Sequence, residues 1–269
     1  MDSLHAVVLA LIQGITEFLP ISSSGHLILL PHLMGWQDQG LMFDIAANTG
    51  SLVAVMLYFR HEMAQMGQGS MQLLRQPMAW QQQEESRLVV WLGLATIPVG
   101  IVGLLSKDWI ATVARDPMII ATTSIVFGLL LWWADRSAKQ QREWQSMGWR
   151  QVLWIGAAQA VALIPGTSRS GITMTAGLML GLTRESAARF SFLMAIPVGV
   201  LAALLDIKDL FTEPLGDGQW QALLIGFAVS LICAYAVIHW LLGWLRRQSM
   251  LPFVIYRLAL GGAIFLLLG

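Results

Sequence analysis

Two polar interruptions in otherwise apolar runs hold the residues of this chain that could do chemistry. The first, QGITEFLPISSSGH at positions 13–26, contains Gln13, Glu17, Ser22, Ser23, Ser24 and His26. Gln13 and Glu17 stand four apart and so share one face of a helix. Ile15, Phe18 and Leu19 surround Glu17 in sequence, so its carboxylate must be solvated, paired or protonated to be tolerated there. Beyond Pro20 the three hydroxyls can donate hydrogen bonds, Gly25 permits a tight backbone path, and His26 supplies a base or nucleophile that titrates near neutrality. The same residues would also make a serine-rich helix cap with a histidine bonded to a backbone carbonyl.

The second interruption, PGTSRSGIT at 165–173, sets Arg169 between Ser168 and Ser170, with Gly166 and Gly171 on either side and Thr173 in the helix beyond. A guanidinium in an apolar setting cannot shed its proton and needs an anion. Its five donors in a rigid fork suit phosphoryl oxygens, and the hydroxyls and exposed N–H groups of a glycine-flanked helix start serve the same anion. A resting ion pair between Arg169 and Glu17 is the competing account; it leaves the surrounding hydroxyls unexplained. Together the two turns offer a phosphate-binding side, with Ser22, Ser24, Ser168, Arg169, Ser170, Thr173 and Gln13 as ligand contacts, and an acid–base side.

The elements that must position these groups are membrane elements. Apolar residues make up 56% of the 269 positions and charged residues 12%, against about 25% charged in a soluble domain; mean hydropathy is +0.64. Lipid is the solvent such a chain requires. Net charge is zero, which excludes a basic nucleic-acid surface. The single Cys233 rules out an intrachain disulfide and a cysteine metal cluster. Twelve tryptophans, several near the ends of apolar runs, suit the two bilayer interfaces. The N-terminus carries Asp2 and His5 but no early lysine or arginine, and its apolar run leads into Glu17 and Pro20, so a cleaved signal peptide is not expected.

A helix needs about 20 residues to span the hydrocarbon core, with about 17 as the lower end. Six segments qualify: 41–59, 88–105, 117–134, 186–205, 220–242 and 252–268. Regions 4–34 and 152–181 do not, because Pro20 with SSSGH and PGTSRSG break them. Each reads as a re-entrant helical hairpin, tolerated where protein or a water-filled cavity satisfies the freed backbone. The expected architecture is an all-α polytopic membrane protein, a single integral membrane domain over 1–269, with six full transmembrane helices and two such hairpins.

Charge in the loops gives a direction. Residues 60–87 hold Arg60, Arg75 and Arg87, and residues 135–151 hold Arg136, Lys139, Arg142 and Arg150; both are expected to be cytoplasmic, as is the Arg246-Arg247 pair. The poorer loops 106–116, with Lys107 and Arg115, and 206–219, with Lys208, are expected outside. The two broken segments then enter from opposite faces. They also resemble each other, Gln13 with Gln159, Pro20 with Pro165 and Ser23 with Ser168, and TIPVG at 96–100 is echoed by AIPVG at 195–199. An inverted-topology internal repeat follows, with approximate halves 1–105 and 152–205 and additional spans 117–134, 220–242 and 252–268.

A phosphate site inside lipid points to a lipid phosphate, whose chain stays between spans while its head reaches the turns. The reaction expected of these groups is hydrolytic phosphoryl transfer. Arg169 clamps oxygens, Glu17 is a base or metal ligand, and His26 is a nucleophile or acid–base group, modestly preferred over the rival nucleophile Ser23. The alternative from another class is a transporter or flippase of such phosphate lipids, since inverted repeats with broken helices also build transport sites.

The paired segments, Gln13-x-x-x-Glu17 followed by Ser23 and His26, and Ser168-Arg169-Ser170 followed by Thr173, resemble the two signature segments of the undecaprenyl-diphosphate phosphatase family, the bacitracin-resistance proteins. The resemblance runs through nearly the whole chain. It implies an enzyme of the bacterial cytoplasmic membrane that hydrolyses undecaprenyl diphosphate to the monophosphate carrier used in peptidoglycan synthesis, with a pocket opening to the periplasmic side. It also implies assistance by a divalent cation, magnesium or calcium. Where relatives carry a first glutamate this chain has Gln13, a neutral amide that can offer a metal only its carbonyl oxygen beside Glu17. Undecaprenyl diphosphate and membrane lipid are the expected partners; no nucleic acid and no obligate protein partner is expected, and a homodimer is compatible.

Overall fold

The computed structural model describes residues 2–36, 39–106, 116–212 and 219–268. Every named element among them is helical. In order they are α1 (Ser3–Thr16), α2 (Ser23–Met34), α3 (Leu41–Tyr58), α4 (Arg60–Arg75), α5 (Glu84–Leu105), α6 (Pro117–Ser137), α7 (Trp149–Val161), α8 (Arg169–Met179), α9 (Arg184–Thr212), α10 (Gln219–Leu245) and α11 (Leu251–Leu268), with single 3-10 turns at Pro77–Ala79 and Trp144–Ser146. Six helices, α3, α5, α6, α9, α10 and α11, are long and apolar enough to cross a membrane. They coincide with the six segments read from the sequence. Leu104, Leu224 and Leu266 point outward and are more than half exposed, as expected where the surroundings are hydrocarbon rather than water.

Both broken regions fold as a short helix, a turn and another short helix, α1 to α2 and α7 to α8. Small residues let their flanking helices approach closely, the usual device where lipid removes the hydrophobic drive between helices. A β-carbon at Gly156 of α7 would lie 2.6 Å from the Ala95 carbonyl oxygen of α5, and one at Gly14 of α1 would lie 2.7 Å from Cβ of Cys233 on α10. Ser230 of α10 then donates to the Ala10 carbonyl across that contact at 3.0 Å. Helices α3 and α10 interlock in both directions, Gly50 against the Phe227 backbone and Gly226 against the Phe43 ring. The main core gathers Phe18, Leu19 and Ile21 of the first turn with Phe190, Phe192 and Leu193 of α9, and Phe18 meets Phe192 edge to face at 5.1 Å.

The basic segment after α3 departs from a plain loop. Residues Arg60–Arg75 form α4, a largely exposed helix seated on α5 through Gly69, where a β-carbon would collide with the Glu85 carbonyl. One end of the molecule is tied by ion pairs: Arg189 with Glu62 of α4 at 2.5 Å, Arg184 with Asp135 at the end of α6 at 2.5 Å, and Arg246 with Glu185 at 2.8 Å. Asp135 also accepts from the Met250 N–H. The segments expected on the cytoplasmic side therefore meet one another. Of the loops expected outside, residues 107–115 and 213–218 lie beyond the described residues.

Candidate active site

Glu17 ends α1 and becomes the hub of the first turn. Its Oε2 accepts from Ser23 Oγ at 2.7 Å and from Gln13 Nε2 at 3.1 Å, while Oε1 accepts from Arg169 Nη2 of the second turn at 2.9 Å. The four-residue spacing of Gln13 and Glu17 does what a helical face dictates. Gln13 Nε2 also donates to Asn48 Oδ1 of α3 at 2.6 Å, so one amide nitrogen serves two acceptors and the Gln13 orientation follows from its partners. Two atoms here lack a hydrogen-bond partner although buried, Gln13 Oε1 and Arg169 Nη1.

The two turns share one construction. Ser22 and Ser168 adopt positive φ, 75° and 70°, a conformation rare outside glycine and found at functional sites. Each hydroxyl accepts from the N–H three residues on, that of Gly25 at 3.4 Å and that of Gly171 at 3.1 Å. Each also lies 3.2 Å from the hydroxyl two residues on, Ser24 or Ser170. Ser22 therefore corresponds to Ser168 and Ser23 to Arg169, one position from the register read in the sequence. Gln13 and Gln159 precede Ser22 and Ser168 by the same nine residues, and the slip falls on the prolines alone. Backbone geometry fixes this pairing, and proline, which lies before the cap, does not.

The turns are also bonded to each other. Ser170 Oγ donates to the Leu19 carbonyl at 2.8 Å. Arg257 of α11, fully buried, spends all five of its N–H groups on carbonyls: Ser124 from Nε at 3.1 Å, Pro20 and Thr167 from Nη1 at 3.2 and 2.9 Å, and Thr123 and Gly166 from Nη2 at 3.3 and 2.9 Å. No reading of the two motifs pointed to it. The signal was present, an arginine in the middle of an apolar span, where only a complete set of acceptors is tolerable.

Thr173 is buried and bonds to the Arg169 carbonyl at 2.8 Å and to Ser191 Oγ of α9 at 2.7 Å, which fixes the first turn of α8. His26 stands on α2 one turn beyond Ser23. Its Nδ1 lies 2.6 Å from the Ser22 carbonyl, which can only accept, so Nδ1 carries hydrogen; in the neutral ring Nε2 accepts from the Tyr256 hydroxyl at 2.5 Å. The two rings stack at 5.5 Å.

A cavity of about 200 Å³ opens beside the Glu17–Arg169 pair. Asn48, Thr49 and Ser51 of α3 add polar groups, and Ile45, Leu52, Val55, Ala195 and Val198 make apolar walls between α3 and α9. Fold and site thus define a polytopic membrane protein with a carboxylate–guanidinium centre where its two broken segments meet. The chain belongs to the bacitracin resistance protein BacA family, whose model matches residues 6–263. It is 69% identical over 270 aligned positions to an undecaprenyl-diphosphatase of Magnetococcus marinus, covering 100% of both chains. It is 55% identical over 269 positions to an undecaprenyl-diphosphatase of Nitrosococcus oceani, covering 99% of each.

Proposed function

We propose that the chain is an undecaprenyl-diphosphate phosphatase of the bacterial cytoplasmic membrane, releasing inorganic phosphate and leaving undecaprenyl phosphate for reuse in peptidoglycan synthesis, and thereby conferring bacitracin resistance. The observation that carries it is the hydrogen bond from Ser23 Oγ to Glu17, a carboxylate that lines the cavity together with Arg169, whose Nη1 has no partner. A hydroxyl becomes a nucleophile when a base within reach takes its proton. Glu17, 2.7 Å from Ser23 Oγ across the Pro20 turn, is that base.

Arg169 turns its free Nη1 to the diphosphate oxygens and its fork follows, which releases Glu17. Ser23 Oγ then bonds to the terminal phosphorus as the bond to the bridging oxygen breaks. The Ser23 proton passes to Glu17 and on to the departing oxygen. In the second half a water attacks the phosphorus of the phosphoserine and gives a proton to Glu17, the Oγ–P bond breaks, and Ser23 Oγ takes that proton back as inorganic phosphate leaves. His26, bonded on both ring nitrogens, suits a positioning and proton-relaying role on the same face of α2, and the geometry favours Ser23 over it as attacker. Ser22, Ser24, Ser168 and Ser170 present the turns; Thr173 holds α8.

A divalent cation, magnesium or calcium, fits this donor set. Glu17 and the buried, unpartnered Oε1 of Gln13 would hold it. No group of three His, Cys, Asp or Glu side chains gathers among the described residues, so phosphate oxygens and water would fill the remaining positions of a hard cation. When bound, it would polarise the phosphoryl oxygens.

The shared construction of the two turns and the clustering of basic segments at one end support two re-entrant hairpins related by an inverted repeat. The halves are 1–105 and 152–205, and the cavity opens to the periplasmic side. A lipid flippase could use Arg169 equally well but has no use for a serine bonded to a carboxylate. Purified protein in detergent, without sealed vesicles, should release phosphate from a long-chain prenyl diphosphate, and Glu17→Gln should slow release about 10²–10⁴-fold. Stoichiometric binding without release, across pH and divalent-ion concentration, would overturn the hydrolytic reading.

A further inference from the structure

The cavity has more donors than one phosphate at Ser23 requires, and they sit on α3, which neither sequence motif includes. Serine and threonine within a helix usually bond back to the carbonyl four residues earlier. Thr49, Thr96 and Thr122 all do so at 2.7 Å. Ser51 does not: it lines the cavity, is 1% exposed, and its hydroxyl has no partner. A buried hydroxyl left unbonded is destabilising, because it has given up water for nothing in return. Asn48, one turn earlier on the same helix, has its carbonyl engaged by Gln13, so what it offers a ligand is its NH2. Arg169 lines the same cavity, and its Nη1 is a second buried donor without a partner.

Two buried donors without an acceptor, Ser51 Oγ and Arg169 Nη1, beside the Asn48 amide on the same cavity suit an anion, and resting on the phosphatase reading we infer that Ser51, Asn48 and Arg169 Nη1 form a second phosphate subsite. It takes the phosphate that stays on the lipid, while Ser23 and Glu17 face the terminal one. The close seating of α3 on α10 through Gly50 and Gly226 holds this helix where the subsite needs it. Ser51 and Asn48 thereby set the preference for a diphosphate: a substrate with one phosphate cannot fill both subsites at once.

The two products separate the subsites, since a prenyl monophosphate belongs in the α3 subsite and inorganic phosphate in the terminal one. Farnesyl monophosphate and inorganic phosphate are titrated, each alone, against wild type, Ser51→Ala and Asn48→Ala in detergent, with ligand-induced thermal stabilisation as readout and inhibition of turnover as a second. Loss of one hydrogen bond to a charged group corresponds to about tenfold or more. Both variants should weaken farnesyl monophosphate by that amount and leave inorganic phosphate unchanged, and ligand-free Ser51→Ala should be at least as stable as wild type. Unchanged farnesyl monophosphate binding, or equal weakening of both ligands, would overturn the subsite. A destabilised ligand-free Ser51→Ala would likewise assign Ser51 to structure alone. Wild type that binds both ligands but releases no phosphate from a diphosphate would instead sink the phosphatase reading and leave the anion subsite standing.

Discussion

At the scale of single residues the site is a set of commitments made by donors and acceptors. Glu17 satisfies three donors from Gln13, Ser23 and Arg169, so the ion pair named as the competing account for Arg169 is formed, and Arg169 Nη1 is left without a partner. Gln13 is the informative position because it donates to Glu17 and Asn48 while its carbonyl stays unpartnered. Gln13→Glu removes both donations and sets a second carboxylate beside the first. Activity titrated with magnesium or calcium should then reach half-maximum at a concentration lower by about tenfold or more, since charge count on the ligands tunes divalent affinity. An unshifted titration would assign residue 13 to positioning only. Much of this was legible: Glu17 and Arg169 announce themselves by what they cost in lipid. Asn48 and Ser51 were not, because an isolated amide and hydroxyl in an otherwise apolar helix resemble ordinary span residues until the cavity they line is seen.

At the scale of elements, the two helix–turn–helix units are held by a third party. Their breaks were readable from proline and clustered hydroxyls, and their boundaries followed. Their mutual fixing was not, because it runs through backbone carbonyls that no side-chain pattern encodes. Arg257 on α11 is bonded to Pro20 of one turn and to Gly166 and Thr167 of the other, and its neighbour Tyr256 reaches His26. Gly166 has positive φ, and a β-carbon there would lie 2.2 Å from Thr123 Oγ1, so the second turn is seated on α6 as tightly as on α11. Arg257→Met should strip five carbonyls of donors and cost at least about 3 kcal/mol, visible as a lowered thermal midpoint in detergent together with lost turnover. Arg257→Lys, with three donors in place of five, should fall between. A wild-type midpoint for Arg257→Met would show that the clasp contributes nothing.

At the scale of the molecule, the chain builds its site by folding two similar broken units into one lipid-solvated bundle. The sequence sets Ser23 beside Ser168, whereas the serines that share a positive φ are Ser22 and Ser168. Orientation has a direct check. Single cysteines introduced at exposed positions such as Lys139 and Arg150, on a Cys233→Ser background, should resist an impermeant thiol reagent in intact cells and react once the membrane is opened. Labelling in intact cells would invert the topology. The central claim is that Ser23, activated by Glu17, carries the phosphoryl group, and stereochemistry at the transferred phosphorus tests it most directly. A prenyl diphosphate analogue made chiral at its terminal thiophosphoryl group should yield product with retained configuration, the outcome of two successive displacements. Inversion would mean a single displacement by water and would contradict the account.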